Sequence, residues 1–147
     1  MTTTQTPPKF DDLEIGAIVA KADLTVTRED LVRYAGGASV DLNPIHFNDA
    51  AAAHAGLSGV LAHGMLTAAL ALQPVVDWIG DPTAVVSYET RFTRPVVVDQ
   101  VNGAELSISA KVARLDAEER TARIDITVTC EEQKVLGKTQ AHITFSA

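Results

Sequence analysis

The chain has few cysteines, few aromatic residues and few positive charges, and each shortage narrows its class. Cys130 is the only cysteine in 147 residues, so an intramolecular disulfide and a thiolate metal cluster are excluded, and a reducing, cytoplasmic location fits best. Twelve basic residues face 19 acidic ones, and this net charge of -7 disfavours nucleic acid and anionic membranes, whose phosphates are bound by Lys and Arg. With 5% aromatic residues, the core must be built mainly from Val, Leu, Ile and Ala.

The sequence also has no long uninterrupted apolar run. The most apolar window, Gly64–Ile79, is too short for a typical membrane span and contains a proline and an acidic residue. Met1–Lys9 has no apolar stretch, which disfavours a signal peptide and favours a flexible arm. We therefore expect residues 10–147 to form a single domain without membrane insertion.

The first third of the chain predicts one strand and two short helices. Ile15–Thr25 alternates apolar and polar residues and is expected to form the strand. Thr27, with an acidic residue three positions later, has the form of a capping box for a helix that should end near Gly36 and Gly37. Asn48 is expected to cap a second helix that continues to His54 and ends at the following glycine.

The rest of the chain predicts a buried helix followed by a sheet. The segment from Gly64 is apolar on nearly every side, and Pro74 should make this helix kink or restart. β-Branched residues and period-two alternation predict strands thereafter, with a turn at Asp116–Arg120. The four predicted strands are Ala84–Phe92, Ala104–Leu115, Thr121–Cys130 and Val135–Phe145. An antiparallel sheet that wraps the apolar helix gives an α+β domain.

A candidate catalytic pair lies in the segment Asp41-Leu42-Asn43-Pro44-Ile45-His46. Asn43 and Pro44 stiffen the turn, so the carboxylate of Asp41 and the imidazole of His46 can converge. A histidine beside a carboxylate can transfer protons in both directions near neutral pH. We therefore predict Asp41 and His46 as the catalytic pair, with Asn43 holding the turn or orienting Asp41.

A candidate oxyanion site lies at Gly64, where a loop enters the apolar helix. The first N–H groups of a helix have no partner within it and carry the positive end of its dipole. Glycine has no side chain, so a substrate oxygen can approach its N–H closely. His63 and Met65 would line the same pocket, and a purely structural role for His63 is equally open.

The segment Asp41–His46, followed by Ala62-His63-Gly64-Met65-Leu66, resembles the MaoC-like, or (R)-specific enoyl-CoA hydratase, family. This resemblance covers most of the chain. It implies a hot-dog fold, in which a sheet wraps a long central helix and two sheets join edge to edge in a dimer. It also implies that Asp41 and His46 hold a catalytic water while the Gly64 N–H binds a thioester oxygen.

Within the family, the stretches at Tyr34–Gly36, Asp41–His46 and Trp78–Pro82 look most like the catalytic B subunit of the type II fatty acid synthase (3R)-hydroxyacyl-ACP dehydratase. The resemblance implies reversible hydration of enoyl thioesters in fatty acid metabolism, without a cofactor. The carrier is coenzyme A or acyl carrier protein, and the partner is a second copy or a related hot-dog subunit without the catalytic pair. Ser39-Val40 departs from the family, which usually has Gly before the Asp and one residue fewer after Tyr34–Gly36.

Other functions are compatible with parts of the sequence. A hot-dog thioesterase generally needs a carboxylate near the central helix, and Asp77 is the only acid within Gly64–Ile79. A non-catalytic acyl-binding subunit would not need Asp41 and His46. A metal site is not expected, because the spacings of His46, His54 and His63 match no compact zinc motif.

Overall fold

The computed structural model describes residues 7–146, so the first six residues of the predicted flexible arm lie outside the described residues. These described residues contain three α-helices: α1 (Arg28–Arg33), α2 (Asp49–His54) and α3 (Gly64–Ile79). The strands are β1 (Ile18–Val26), β2 (Val85–Phe92), β3 (Ala104–Asp116), β4 (Thr121–Cys130), β5 (Gln133–Lys134) and β6 (Leu136–Thr144). The four strands predicted after α3 are present within one or two residues, and the short β5 was not predicted.

The strands form one antiparallel sheet in the order β1-β3-β4-β6-β2, with β5 paired to β4. Strand β3 shows most clearly why this segment forms a strand, since buried and exposed residues alternate along Ala104–Val112. In register, Val112 lies opposite Ile124, and Ile124 lies opposite Ala141 on the other side. All three residues are fully buried, so one face of the sheet carries the core.

Helix α3 packs against that apolar face. Ala71, Val75 and Ile79 recur at helical spacing and are buried among the strand residues. The helix remains one element through Pro74, so the alternative in which it restarts there is wrong. Gly80 ends it in the left-handed conformation, at φ 74°. The predicted α+β hot-dog arrangement, a sheet around a central helix, is confirmed.

An aromatic cluster closes the core at the C-terminal end of α3. The Phe145 ring makes edge contacts with Phe10 at 5.8 Å and with Trp78 at 6.4 Å, measured between ring centroids. The guanidinium of Arg120 lies 5.2 Å from the centre of the Phe10 ring. This cluster joins both ends of the described chain to the helix, at the end opposite Gly64.

The segment before the Asp41–His46 turn is a π-helix. The predicted capping box is present: the Thr27 side chain accepts the Asp30 N–H, and the Asp30 side chain accepts the Thr27 N–H. α-Helical structure ends at Arg33, earlier than predicted, and the wider π-helical turn continues over Tyr34–Ser39. A π-helical turn accommodates an extra residue.

Helix α2 begins as its sequence predicts, because the Asn48 side chain accepts the Ala51 N–H at 3.0 Å. Arg28 fastens this helix to α1 with two bonds from its guanidinium to the Asp49 carboxylate, at 2.7 and 2.9 Å. The Arg28–Asp49 ion pair holds together the two short helices that flank the Asp41–His46 turn.

Within residues 7–146, the helices are too short or too polar for any of them to cross a membrane.

Candidate active site

The segment Asp41–His46 folds as an extended approach followed by one 3₁₀ turn, Pro44–His46. The Asn43 side chain caps this turn by accepting the Ile45 N–H at 3.2 Å. The Asn43 backbone N–H donates to Oδ1 of Asp41, also at 3.2 Å. Asn43 therefore orients the Asp41 carboxylate through its backbone, while its side chain is used inside the turn.

The imidazole of His46 is fixed by a backbone carbonyl. His46 is 9% exposed, and its Nδ1 lies 2.7 Å from the carbonyl oxygen of Leu61. Because a carbonyl only accepts hydrogen bonds, Nδ1 carries the proton and the neutral ring has its lone pair on Nε2. Nε2 is therefore the atom that is available as a base.

The two predicted catalytic side chains face each other. Nε2 of His46 lies 3.7 Å from Oδ2 of Asp41, which is too long for a direct hydrogen bond. With His46 neutral, both atoms are acceptors, and a bridging water can donate one hydrogen to each. The Asp41 side chain is 50% exposed, so solvent reaches the gap. The arrangement suits a pair that holds and deprotonates a water molecule.

A short strand-like segment holds the turn in place. The Leu61 N–H donates to the Ile45 carbonyl at 3.1 Å, next to the bond that fixes His46. The same segment pairs with buried residues of the loop between β2 and β3. The Ala62 N–H donates to the Val96 carbonyl at 2.9 Å, and the Val98 N–H donates to the Val60 carbonyl at 2.8 Å. The imidazole is thus anchored through backbone bonds to the protein core.

A cavity of about 330 Å³ opens beside His46, and both His46 and Gly64 lie on its wall. Its other lining residues are Leu61, Ala62, Thr67, Phe92, Thr93, Arg94, Pro95, Val96, Val135 and Leu136. Most of these are apolar, as expected for a site that accepts an acyl chain. Gly64 is the first residue of α3, so its N–H belongs to the turn whose donors have no acceptor within the helix.

Three predicted residues lie outside this cavity. Met65 is 63% exposed, and neither Met65 nor His63 is among the residues that line the cavity with Gly64, so the expectation that both line the same pocket is wrong for this cavity. Met65 follows Gly64 on the helix, but adjacent helix positions point about 100° apart, which turns its side chain to the surface. Asn43 is likewise outside the cavity wall, and its amide caps the turn.

Sequence reasoning missed two features of the site. Phe92 ends β2 and covers Gly64 so closely that a Cβ built there would lie 3.1 Å from two atoms of the Phe92 ring. Phe92 follows a strand pattern, which was a signal for its position but not for its contact with α3. The Leu61 carbonyl that fixes His46 is a backbone group, and no residue type signals it.

The structure brings His63 to the site through stacking. The rings of His46 and His63 are 3.9 Å apart between centroids and inclined by 22°. Asp41, His46 and His63 each place a possible metal ligand atom within 4.8 Å of the others. The stacked ring planes are inclined by only 22°, so one ion at coordination distance cannot lie in the plane of both rings. The geometry therefore does not favour a metal centre.

Comparisons with known proteins identify the family of this chain. The model of the MaoC-like domain matches residues 13–134. A solved MaoC-like dehydratase shares 36% identity and a TM-score of 0.91, over 95% of this chain and 43% of its own. An R-hydratase from Pseudomonas aeruginosa shares 25% identity and a TM-score of 0.79, over 94% of this chain and 86% of its own.

A third relative is the 3-hydroxyacyl-thioester dehydratase X of Mycobacterium tuberculosis, which is 40% identical over 84 residues, 56% of this chain and 28% of that protein. The chain thus spans less than half of this protein and of the MaoC-like dehydratase. Because the MaoC-like domain model covers most of the sequence, with the Asp41–His46 turn and Gly64 inside the match, the chain belongs to the MaoC-like domain family.

Proposed function

We propose that this protein catalyses the reversible hydration of trans-2-enoyl thioesters to (3R)-3-hydroxyacyl thioesters, carried by coenzyme A or acyl carrier protein. One observation carries the proposal. His46 Nε2 and Asp41 Oδ2 face each other across 3.7 Å, beside a largely apolar cavity whose wall includes Gly64. This observation supports the proposal, because the reaction needs a water beside a base and a donor for the thioester oxygen.

In the hydration direction, a water between Asp41 and His46 attacks C3 of the enoyl group and gives one proton to the pair. Negative charge moves onto the thioester oxygen, where the Gly64 N–H stabilises it. The pair then returns a proton to C2, so the product has gained one water and the pair regains its starting state. His46 suits both steps because a neutral imidazole accepts a proton readily and its imidazolium gives it back near neutral pH.

The activities named for two relatives support this proposal. One is an R-hydratase with which the chain shares 25% identity, and the other is a 3-hydroxyacyl-thioester dehydratase with which it shares 40% over the matched segment. Hydration and dehydration are the same reaction in opposite directions. Both names therefore fit one site that handles water next to a thioester.

A thioesterase is a weaker alternative. Asp77, the only acid of α3, is exposed in its last turns and accepts a hydrogen bond from Gln73 at 2.7 Å. Thirteen residues of helix separate it from Gly64, a distance of roughly 20 Å. Asp77 is therefore too far from the cavity to act on a thioester held at Gly64. Release of free thiol from an acyl-CoA would instead favour this alternative.

We further propose that the chain works as a dimer, with a second copy or a related subunit, in the cytoplasm. Several large apolar side chains around the turn and the cavity are exposed in the single chain, a pattern typical of a surface that a partner covers. These are Val40 (73%), Leu42 (60%), Phe47 (45%), Met65 (63%) and Phe92 (55%). Sedimentation velocity distinguishes a stable homodimer from a chain that needs a separate partner. The single cysteine fits a reducing compartment.

Hydration of crotonyl-CoA, followed by loss of its enoyl absorbance, tests the reaction. Asp41→Asn keeps the shape of the side chain but removes its charge, and His46→Ala removes the base. Each change should lower kcat by at least about a thousandfold, since it removes a member of the proton-handling unit. His54→Ala is the matched control because His54 is exposed on α2. Wild-type turnover in either site variant would contradict the roles proposed here.

A further inference from the structure

His63 connects the two parts of the proposed site, which are the Asp41–His46 turn and Gly64 at the start of α3. It immediately precedes Gly64 in the chain, and its carbonyl accepts the Thr67 N–H at 3.1 Å and the Thr67 hydroxyl at 3.3 Å. These bonds fix the backbone of the first turn of α3. On the other side, its imidazole points into the loop that carries Asp41.

The imidazole of His63 holds that loop by a single hydrogen bond. Nε2 lies 3.2 Å from the backbone carbonyl of Asp41, so Nε2 carries the proton and donates it. Nδ1 is buried and has no hydrogen-bond partner among the described residues. His63 is only 2% exposed, and burial lowers its pKa below the ordinary 6.5. The ring is therefore neutral at neutral pH.

The same ring supports His46 from its face. It stacks on the His46 ring with 3.9 Å between the ring centroids, and the Tyr34 ring contacts the His63 ring edge-on with 4.9 Å between centroids. A buried ring with one unsatisfied nitrogen is costly, and an apolar side chain would fill this space without that cost. A ring with an N–H at this position therefore has a use beyond filling space.

We propose that His63 is a positioning residue, which holds Asp41, His46 and Gly64 in fixed positions relative to one another. Its N–H restrains the Asp41 backbone, its face restrains the His46 ring, and its own backbone leads into the Gly64 N–H. The proposal rests on the proposed hydratase function for its meaning, since those three groups are the ones that this reaction uses. His63 itself lies outside the residues that line the cavity, so it acts through them.

Two substitutions separate the parts of this role. His63→Phe keeps a ring for stacking but has no N–H, whereas His63→Gln keeps an N–H near the position of Nε2 without the ring. We expect His63→Phe to lower kcat by about ten- to a hundredfold with KM changed by less than about threefold, because misplacement of reacting groups acts on the rate. His63→Gln should retain more of kcat than His63→Phe.

A readout without substrate makes the result independent of the reaction. Amide hydrogen exchange at Asp41 and Asn43 reports how firmly the loop is held, because these N–H groups bond to the Ser39 hydroxyl and the Asp41 carboxylate. We expect exchange there to accelerate by at least about tenfold in His63→Phe. His54→Phe, at an exposed position, is the control and should leave it unchanged.

The outcomes distinguish this proposal from the proposed function. If the wild type hydrates no enoyl thioester, the function is wrong and the exchange measurement alone decides the role of His63. A folded His63→Phe protein with wild-type kcat, or with wild-type exchange at the loop, overturns the positioning role. Circular dichroism and the Tm establish whether each variant is folded. If His63→Phe does not fold, kcat and amide exchange are measured on His63→Gln instead.

Discussion

Strands β3 and β4 and the turn segment 34–48 are built on different principles. In the strands, buried residues alternate with exposed or half-buried ones, and β3 bonds to β4 from Leu106 to Asp116 with one irregularity after Val112. The turn segment passes through a π-helix, a left-handed Val40 at φ 54° and one 3₁₀ turn, and much of it is exposed. The strands gain stability from burial, whereas the turn segment depends on a few local bonds and one buried histidine.

This difference predicts that stability and catalysis can be changed separately. A change in the strands should reduce the folded population without altering the chemistry of the molecules that remain folded. A change in the turn or at the start of α3 should alter the chemistry with little loss of stability, because few apolar contacts are involved.

The largest effect is expected in the strands. Ile124 is fully buried in β4, and Ile124→Ala should lower the free energy of unfolding by about 2–5 kcal/mol, through lost apolar contact and the cavity left behind. Urea denaturation measures this change. Thr127→Ala, at an exposed position of the same strand, should change it by less than about 1 kcal/mol. Equal losses would remove the contrast between the two faces.

A smaller effect, on activity, is expected at the start of α3. The new methyl of Gly64→Ala would lie 3.1 Å from the Phe92 ring, so the ring must shift by a few tenths of an ångström within the cavity wall. We expect kcat/KM to fall by about tenfold with little change in Tm. If this contact is the cause, the combination with Phe92→Ala should be less harmful than the two separate losses predict. Additive losses would show that the methyl acts elsewhere.

Val40→Gly should increase stability slightly. A β-branched residue is strained at φ 54°, by roughly 1–2 kcal/mol, and glycine relieves this while losing part of the gain to unfolded-chain entropy. The net rise in the free energy of unfolding should be about 0.5–1 kcal/mol. Val32→Gly, the same substitution in α1, should instead lower it by about 0.3–0.5 kcal/mol, the difference between the helix propensities of Val and Gly. A loss in Val40→Gly would mean that its side chain has a stabilising contact.

The smallest effect expected is on the pH dependence of stability. Burial lowers the pKa of His63 below 6.5 in the folded chain, so the unfolded chain binds more protons between the folded pKa and 6.5. Stability therefore falls as pH falls below about 6.5. The carboxylates whose pKa is lowered, Asp30, Asp49, Asp81 and Asp99, titrate only below their ordinary 3.8. Urea denaturation of the wild type and of His63→Gln at pH 7.5 and 5.5 measures this effect. The free energy of unfolding should decline less between these pH values in the variant than in the wild type.

Much of the fold was predictable because its signals are local. The capping box at Thr27, the Asn48 cap and the alternation along β3 and β4 each depend on residues within a few positions of one another. The end of α1 was predicted at Gly36–Gly37 because glycines commonly end helices. The π-helical turn was missed, since Gly36 and Gly37 lie inside it instead of ending the helix.

The sequence by itself determined which residue types are available for the proposed chemistry and that Asn43 and Pro44 form a turn between Asp41 and His46. Only the tertiary structure decided how these side chains are held, since Leu61 fixes the imidazole of His46 from 15 residues away along the chain. His63 bonds to the Asp41 carbonyl from 22 residues away, and Phe92 of β2 covers Gly64 of α3. Hydrogen bonds and ring contacts over such separations depend on packing, which residue spacing along a chain does not encode.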